Sequence, residues 1–222
     1  MLFKLIPKKI VSQNIIDFIR FHYNKDFGKL KDVIKVDIKK GLFLKIKKGS
    51  RVGRKELLRL LKKNHERISQ DKIRKIKTLW YRNEIKILKT IKNITGIKIS
   101  IKKITCYLDP YTKLGFYGKN HISLSTNIKL KDVLFVIAHE LFHIFYWRKI
   151  KKLSLKMNKE KEWILSEITV YLLQKQPEMK RFWPKSKIYL YPELKKVYKL
   201  IKRNWKPNEF NNFLIKSYYS LK

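Results

Sequence analysis

The spacing of hydrophobic residues along the chain predicts several helices. A short helix is expected over residues 11–23, and a long helical region over residues 54–93 with a break near Ser69. Gly96 follows as a stop signal. In the second part of the long region, large apolar side chains recur at intervals of three, four or seven residues and so share one face: Ile73, Ile76, Trp80, Ile87 and Ile91.

Alternation of apolar residues with other residues predicts strands. Val33–Ile46 is expected to form a β-hairpin. A strand with a bulge at residues 102–103 is expected to run from Ile97 to Leu108. A loop with two glycines then leads to a second, short strand, His121–Ser125.

Two further helices are predicted in the second half of the chain. Residues 130–147 are apolar on almost every side, which predicts a buried central helix. Ser125 or Asn127 is its expected N-cap residue. Residues 159–174 form the next predicted helix, which Pro177 ends. The tail carries prolines among aromatic residues and predicts short helices joined by turns.

This order of hairpin, helix, strand, strand, helix and helix predicts an α+β fold with a small mixed sheet. A chain of 222 residues is long enough for one domain with a sizeable core, so residues 1–222 are expected to form a single domain. Residues 1–95 would supply the N-terminal helices and the hairpin. Residues 96–222 would form the core, with a helical C-terminal part.

The composition is strongly basic, with 55 lysines and arginines against 17 acidic residues and a formal net charge of +38. The positive electrostatic potential around such a protein attracts polyanions. Only ten of the basic residues are arginine, however, and the lysines are spread through every predicted element. The chain also contains one alanine and abundant isoleucine, asparagine and tyrosine, as expected from an A+T-rich coding genome. This bias favours a solvated cationic surface over selected nucleic-acid binding.

Cysteine usage and hydropathy bear on the compartment. The single cysteine, Cys106, excludes an internal disulfide and any zinc or redox motif built on CxxC, and is expected to be a small buried residue of a strand. The first residues lack the apolar region of a signal peptide. No uninterrupted apolar run reaches the length of a membrane span. The sequence therefore predicts a cytoplasmic protein.

The motif HExxH, formed by His139, Glu140 and His143, lies on the predicted central helix. Histidines four residues apart share one face of a helix and can offer two imidazole nitrogens to one zinc ion. Glu140 points elsewhere and can act as general base toward a water on that metal. The alternative is a purely structural helix, but burial would leave three polar groups without partners.

A third ligand is expected downstream of the motif. No histidine follows His143, which excludes the metzincin pattern with its third histidine. Glu167 lies among apolar residues inside the next predicted helix, so it is the acid expected to be buried and to need a cation. The alternative is that Glu167 lies on a solvent-exposed polar face of this helix together with Lys161 and Gln174. The other downstream acids are Glu160, Glu162, Glu178, Glu193 and Glu209, the first two near the helix N-terminus where acids are common.

Three segments together resemble a gluzincin metallopeptidase: Asn120–Ser125, Ile137–His143 and Trp163–Glu167. The resemblance implies a zincin-like fold in which an edge strand precedes the active-site helix. It also implies that Glu167 is the third zinc ligand. The edge strand would be residues 121–125, and the substrate backbone would be aligned by His121, Ile122, Ser123 and Leu124.

The sequence departs from the gluzincin pattern at one position. Many members carry an acid four residues beyond the third ligand, which orients a zinc-bound histidine; here that position is Tyr171. The tyrosine hydroxyl or Glu162 is a candidate replacement. Candidates for the donor that stabilises the transition-state oxyanion are Tyr189, Tyr191 and Tyr198.

The sequence therefore predicts a zinc-dependent metallopeptidase that hydrolyses polypeptides with Glu140 as general base. Its cationic surface would favour acidic substrates through long-range steering. The alternative from another class is a basic nucleic-acid-binding protein whose zinc site is structural or vestigial. The charge also predicts non-specific nucleic-acid binding in either case.

Overall fold

The computed structural model describes residues 1–21, 34–63, 68–97, 100–113, 115–153 and 155–221. The described elements are, in chain order, β1 (Leu2–Leu5), α1 (Lys8–Phe21), α2 (Lys40–Lys47), α3 (Arg51–Lys63), α4 (Gln70–Thr95), β2 (Thr105–Asp109), β3 (Phe116–Tyr117), β4 (His121–Ser125), α5 (Val133–Lys152), α6 (Lys159–Gln174), α7 (Pro177–Lys180), α8 (Lys195–Lys202) and α9 (Phe210–Ser220). Short 3-10 turns precede α5 and α8. The fold is mixed α and β, as predicted.

One small mixed sheet has the strand order β1-β2-β4-β3. β1, β2 and β4 are parallel, and β3 runs antiparallel to β4, pairing Phe116 with Ser123 and Tyr117 with Ile122. The predicted edge position of His121–Ser125 is therefore wrong, because β4 lies between β2 and β3. The edge strand on this side is β3, which at two residues is too short to show an alternating pattern.

The sheet separates two hydrophobic clusters. α1, α2 and α3 pack on one face, and Tyr107 of β2 contacts this N-terminal cluster. The other face carries α4, α5, α6 and the C-terminal helices, and receives Cys106 and Leu108 of β2. Successive residues of a strand point to opposite faces, so β2 contributes to both clusters.

The hairpin predicted at Val33–Ile46 is wrong. Residue 33 lies outside the described residues, and Ile34 forms an isolated antiparallel bridge with Thr112. Lys40–Lys47 is a helix that buries Phe43 together with Leu42 and Ile46, and leaves Leu44 exposed. The alternation of apolar residues at 42, 44 and 46 suggested a strand, whereas the buried set follows helical spacing.

The predicted strand from Ile97 to Leu108 is shorter than expected. α4 ends at Thr95, and Gly96 adopts the left-handed conformation (φ +66°) that ends many helices. The strand β2 begins only at Thr105, after a turn at residues 102–103. The segment 98–99 lies outside the described residues.

The predicted break in the long N-terminal helical region is confirmed. α3 and α4 are separate helices, and the hydroxyl of Ser69 caps α4 by accepting from the backbone N–H of Lys72 at 3.4 Å. Residues 64–67 between them lie outside the described residues.

The two helices of the motif region are also confirmed. α5 is buried over most of its circumference, and α6 begins behind Asn158, whose side chain accepts from the N–H of Lys161 at 2.9 Å. Capping of α5 by Ser125 or Asn127 is wrong, since Asp132 occupies the N-cap position and makes no side-chain cap bond. In the described part of the chain, no helix combines the length and the apolar character needed to cross a membrane.

Candidate metal centre

Two adjacent helices bring three potential metal ligands together. His139 and His143 lie one turn apart on α5, with 3.0 Å between their Nε2 atoms. Glu167 of α6 places one carboxylate oxygen 3.4 Å from Nε2 of His143 and the other 3.8 Å from Nε2 of His139. Ligands at 2.0–2.1 Å from a tetrahedral zinc ion would lie roughly 3.3 Å apart. The spacing of this group therefore fits a single metal ion.

The orientation of each imidazole ring is fixed through its other nitrogen. Nδ1 of His143 lies 2.7 Å from the hydroxyl of Ser166, and Nδ1 of His139 lies 3.3 Å from the side-chain carbonyl of Gln174. The amide of Gln174 donates in turn to the backbone carbonyl of Phe135 at 3.2 Å, so its oxygen faces His139. The carbonyl oxygen of Gln174 only accepts, so it holds the proton of His139 on Nδ1 and leaves Nε2 with a lone pair for a metal, and the hydroxyl of Ser166 can accept from Nδ1 of His143 in the same way.

These outer partners differ from those the sequence suggested. Gln174 is only 3% exposed, which contradicts the alternative of a solvated polar face shared by Glu167, Lys161 and Gln174. The hydroxyl of Tyr171 accepts from Lys175 at 3.4 Å, and its ring packs edge-on against Tyr198. Ser166 and Gln174, rather than Tyr171, hold the two histidine rings.

Burial sets the charge state of the three ligands in the metal-free protein. It lowers the pKa of His139 to about 4, an effect partly offset by the hydrogen bond to Gln174. Burial and the neighbouring His139 lower the pKa of His143 well below its usual range. Burial raises the pKa of Glu167 to about 8, although a hydrogen bond from the side chain of Trp163 lowers it in part. Two neutral imidazoles beside a carboxyl that resists ionisation without a cation form a donor set suited to a divalent metal.

Glu140 lies beside the ligand group without belonging to it. Its side chain is 7% exposed and makes no hydrogen bond to any described residue. Burial, followed by the nearby Glu167 carboxylate, raises the pKa of Glu140 well above its usual range. Gly115 packs directly on it, since a Cβ atom at Gly115 would lie 2.5 Å from a carboxylate oxygen of Glu140. The glycine leaves room for the carboxylate to face the cleft.

The ligand group opens into a cleft of about 810 Å³. Its lining comes from α1, from β3 with Gly115, from α5 and α6, and from Tyr191 and Glu193. The ring of Tyr117 stacks on that of His143 with 4.5 Å between centroids, and its hydroxyl accepts from the indole of Trp147 at 3.0 Å. Of the three candidate tyrosines, Tyr191 lines the cleft, whereas Tyr189 and Tyr198 do not belong to its described lining.

The four residues predicted to contact substrate lie outside the cleft lining. Ile122 and Leu124 have no exposed surface, and the hydroxyl of Ser123 accepts from the side-chain amide of Asn14 at 3.3 Å. The ring of His121 packs against Tyr107 with 5.5 Å between centroids. Substrate contact by these residues stays a prediction.

The sequence patterns considered above did not identify four residues that contact the site: Gln174, Ser166, Gly115 and Tyr117. Gln174 lies two helical turns beyond Glu167, on the same face of α6, and this spacing could have identified it. Ser166 directly precedes Glu167. By contrast, Gly115 and Tyr117 reach the site only through the pairing of β3 with β4, which no local pattern reveals.

Comparison of the chain with protein-family models, with curated proteins and with solved structures returned no match. The metal centre is thus described by its own geometry alone.

Proposed function

We propose that this protein is a zinc-dependent metallopeptidase with a zincin-like active site. The observation that carries the proposal is the buried group of His139, His143 and Glu167 with a second buried carboxylate, Glu140, beside it at the floor of a single cleft. Structural zinc sites use four protein ligands, whereas a catalytic site uses three and keeps a position for water or substrate. Glu140 has no structural partner among the described residues, which suits a role in chemistry.

His139, His143 and Glu167 would hold the ion, two through Nε2 and one through its carboxylate. Zinc, when bound, lowers the pKa of water and polarises a carbonyl group. The remaining chemistry falls to Glu140, which accepts a proton from the attacking water and returns it to the leaving amine. Burial, followed by the nearby Glu167, raises the pKa of Glu140 well above its usual range, which makes its carboxylate a stronger base toward that proton.

The strand that would align a peptide substrate is β3. Its inner side pairs with β4, and the backbone N–H of Gly118 bonds to the carbonyl of His121 at 2.8 Å. Phe116 and Tyr117 also line the cleft, so an extended peptide could add to this edge beside Glu140. In this arrangement β4 supports the edge strand instead of serving as one.

Two variants test the proposal. Glu140→Gln should retain zinc and lose most peptide hydrolysis, because the amide cannot accept the proton. Glu167→Ala should lose zinc, whereas Glu160→Ala should keep it, as Glu160 is exposed and outside the ligand group. Elemental analysis of tag-free protein and a peptide-cleavage assay provide the two readouts. Full hydrolysis by Glu140→Gln would rule out the general-base role.

The net charge of +38 supports a second candidate, binding of nucleic acid by the cationic surface. This function needs neither the cleft nor Glu140. It predicts binding to duplex or single-stranded nucleic acid that weakens steeply with salt and is unchanged by Glu140→Gln. Strong binding of this kind by a protein without zinc would replace the first proposal.

A further inference from the structure

The described lining of the cleft differs in charge from the rest of the chain. It contains two of the 55 basic residues, Arg20 and Lys159. It contains six of the 17 acidic residues: Asp17, Glu140, Glu160, Glu162, Glu167 and Glu193. A strongly cationic protein therefore concentrates a third of its acids around one opening.

These acids lie at different depths and come from different elements. Glu140 is buried, Glu167 is 12% exposed, and Asp17 is part-buried on α1, where it accepts from the amide of Gln13 at 2.8 Å. Arg20 and Lys159 lie near Asp17 and act to lower its pKa, although burial has the larger effect and raises it. Lys159 also acts to lower the pKa of Glu162, so its charge is shared between Asp17 and the acids of α6.

The three acids from α6 and from the 3-10 turn before α8 outnumber Lys159, the one cation of the lining that comes from these elements. Glu160 and Glu193 are exposed and Glu162 is part-buried. Among the described residues, no lysine or arginine nitrogen lies within 4.0 Å of these three carboxylates. Below them, the carboxylate of Glu140 is buried, faces the cleft and has no hydrogen-bond partner among the described residues.

A zinc ion bound by His139, His143 and Glu167 would offset the charges of Glu140 and Glu167, so the potential at the opening is set by the remaining acids and the two cations of the lining. Charges more than a Debye length away, about 8 Å at physiological ionic strength, are largely screened, so lysines elsewhere on the surface contribute little there. Low-dielectric walls focus the field of the acids that line the opening. A cationic group enters this cleft at an advantage, and an anionic group is repelled.

We propose that the cleft selects polypeptide segments that carry lysine or arginine beside the bond to be cut, with Glu160, Glu162 and Glu193 as the specificity-determining residues. This inference rests on the proposed peptidase function and names its substrate class. It replaces the expectation of acidic substrates, which came from the net charge of the whole chain. Far from the cleft the electrostatic potential of the surface is positive and attracts anions, whereas the potential at the cleft is negative and attracts cations.

Binding to two short blocked peptides tests the proposal. The peptides differ only in whether lysine or glutamate occupies the variable positions. Zinc-loaded Glu140→Gln protein is used, so that turnover does not interfere, and fluorescence anisotropy reports affinity. The test variant adds Glu160→Gln and Glu193→Gln; the control adds Glu178→Gln and Glu209→Gln, two exposed acids outside the cleft lining.

The lysine peptide should bind more tightly than the glutamate peptide despite the net charge of the protein. The test variant should weaken binding of the lysine peptide by roughly threefold to tenfold, and the control, which has the same net charge, should not. Tighter binding of the glutamate peptide, or equal losses in both variants, would overturn the proposal. Cleavage by the parent protein is scored separately. Binding of the lysine peptide without cleavage would remove the peptidase function and leave the charge preference.

Discussion

Gly115 and Glu140 are in direct contact: a methyl group on Gly115 would come within 2.5 Å of a carboxylate oxygen of Glu140 and 2.8 Å of a side-chain carbon of Val136. The loop before β3 thereby fixes where the proposed general base can lie. The three atoms nearest to this methyl group belong to Glu140 and Val136, and none of them belongs to a metal ligand.

Gly115→Ala should therefore lower turnover while leaving zinc content unchanged. The carboxylate of Glu140 must move away from the new Cβ atom, and displacement of a reacting group by about 1 Å costs on the order of 10²-fold in rate. Gly41→Ala is the control, because nothing lies within 4 Å of a Cβ atom there. Zinc analysis and peptide hydrolysis would be measured on both. Unchanged turnover in Gly115→Ala would show that this contact does not position Glu140.

Gln174→Ala should weaken zinc binding by about 10- to 100-fold, the usual effect of losing a hydrogen bond that orients a metal-binding histidine. The variant removes the acceptor at Nδ1 of His139 and frees the ring to rotate. Gln176→Ala is a matched control, because the amide of Gln176 donates to the carbonyl of Leu172 at 2.9 Å and does not contact His139. Competition with a chromophoric chelator measures affinity. Equal losses in both variants would remove the orienting role of Gln174.

Zinc affinity should rise with pH up to about 8. At neutral pH the buried carboxyl of Glu167, with its pKa raised from 4.5 to about 8, holds a proton that the metal must displace. The histidines contribute none, since burial lowers the pKa of His139 to about 4 and that of His143 below its usual range. Affinity should increase by about tenfold per pH unit and then level off.

The same shift has a second consequence for the metal-free protein. Between pH 4.5 and about 8 the unfolded chain has released the proton of Glu167 while the folded chain retains it, so stability falls as the pH rises through this window.

Measurements of zinc affinity in the Glu140→Gln background isolate Glu167 from the second buried carboxyl. An affinity that does not change with pH below 8 would contradict the assignment.

Tyr191→Phe should lower peptide hydrolysis without changing zinc content. Tyr191 is the candidate oxyanion donor that lines the cleft, and loss of one such donor costs about 10²–10³ in rate. Tyr198→Phe serves as the control, because its ring packs against Tyr171 instead. Kinetics with one peptide substrate would compare the two. A larger loss in Tyr198→Phe would transfer the role away from Tyr191.

The ligand group could be predicted from sequence because it depends on local spacing. His139 and His143 share a helical face by virtue of their separation, and the apolar residues around Glu167 indicate burial. The orienting role of Gln174 depends on a contact across 35 positions of the chain, between α5 and α6. Helical periodicity indicates which side of α6 is buried, but does not state which imidazole nitrogen that side meets.

The errors in the predicted fold have physical causes of the same kind. In α2 the buried Phe43 and the exposed Leu44 reverse what alternation alone suggests, because packing against α1 and α3 determines which residues are covered. β3 consists of two residues and exists through its pairing with β4. Tertiary contacts thus decide the edge of the sheet, and with it the strand nearest the cleft.

The lining of the cleft comes from elements of two different hydrophobic clusters. All three metal ligands come from α5 and α6, which pack in the larger cluster, whereas Asp17 belongs to α1 in the N-terminal cluster. A shift of α1 on the sheet would change the width of the entrance and leave the distances among the ligands as they are. Substitutions in the N-terminal cluster can therefore alter the access of substrate without changing the metal site. Substitutions in the larger cluster can alter the metal site without moving α1.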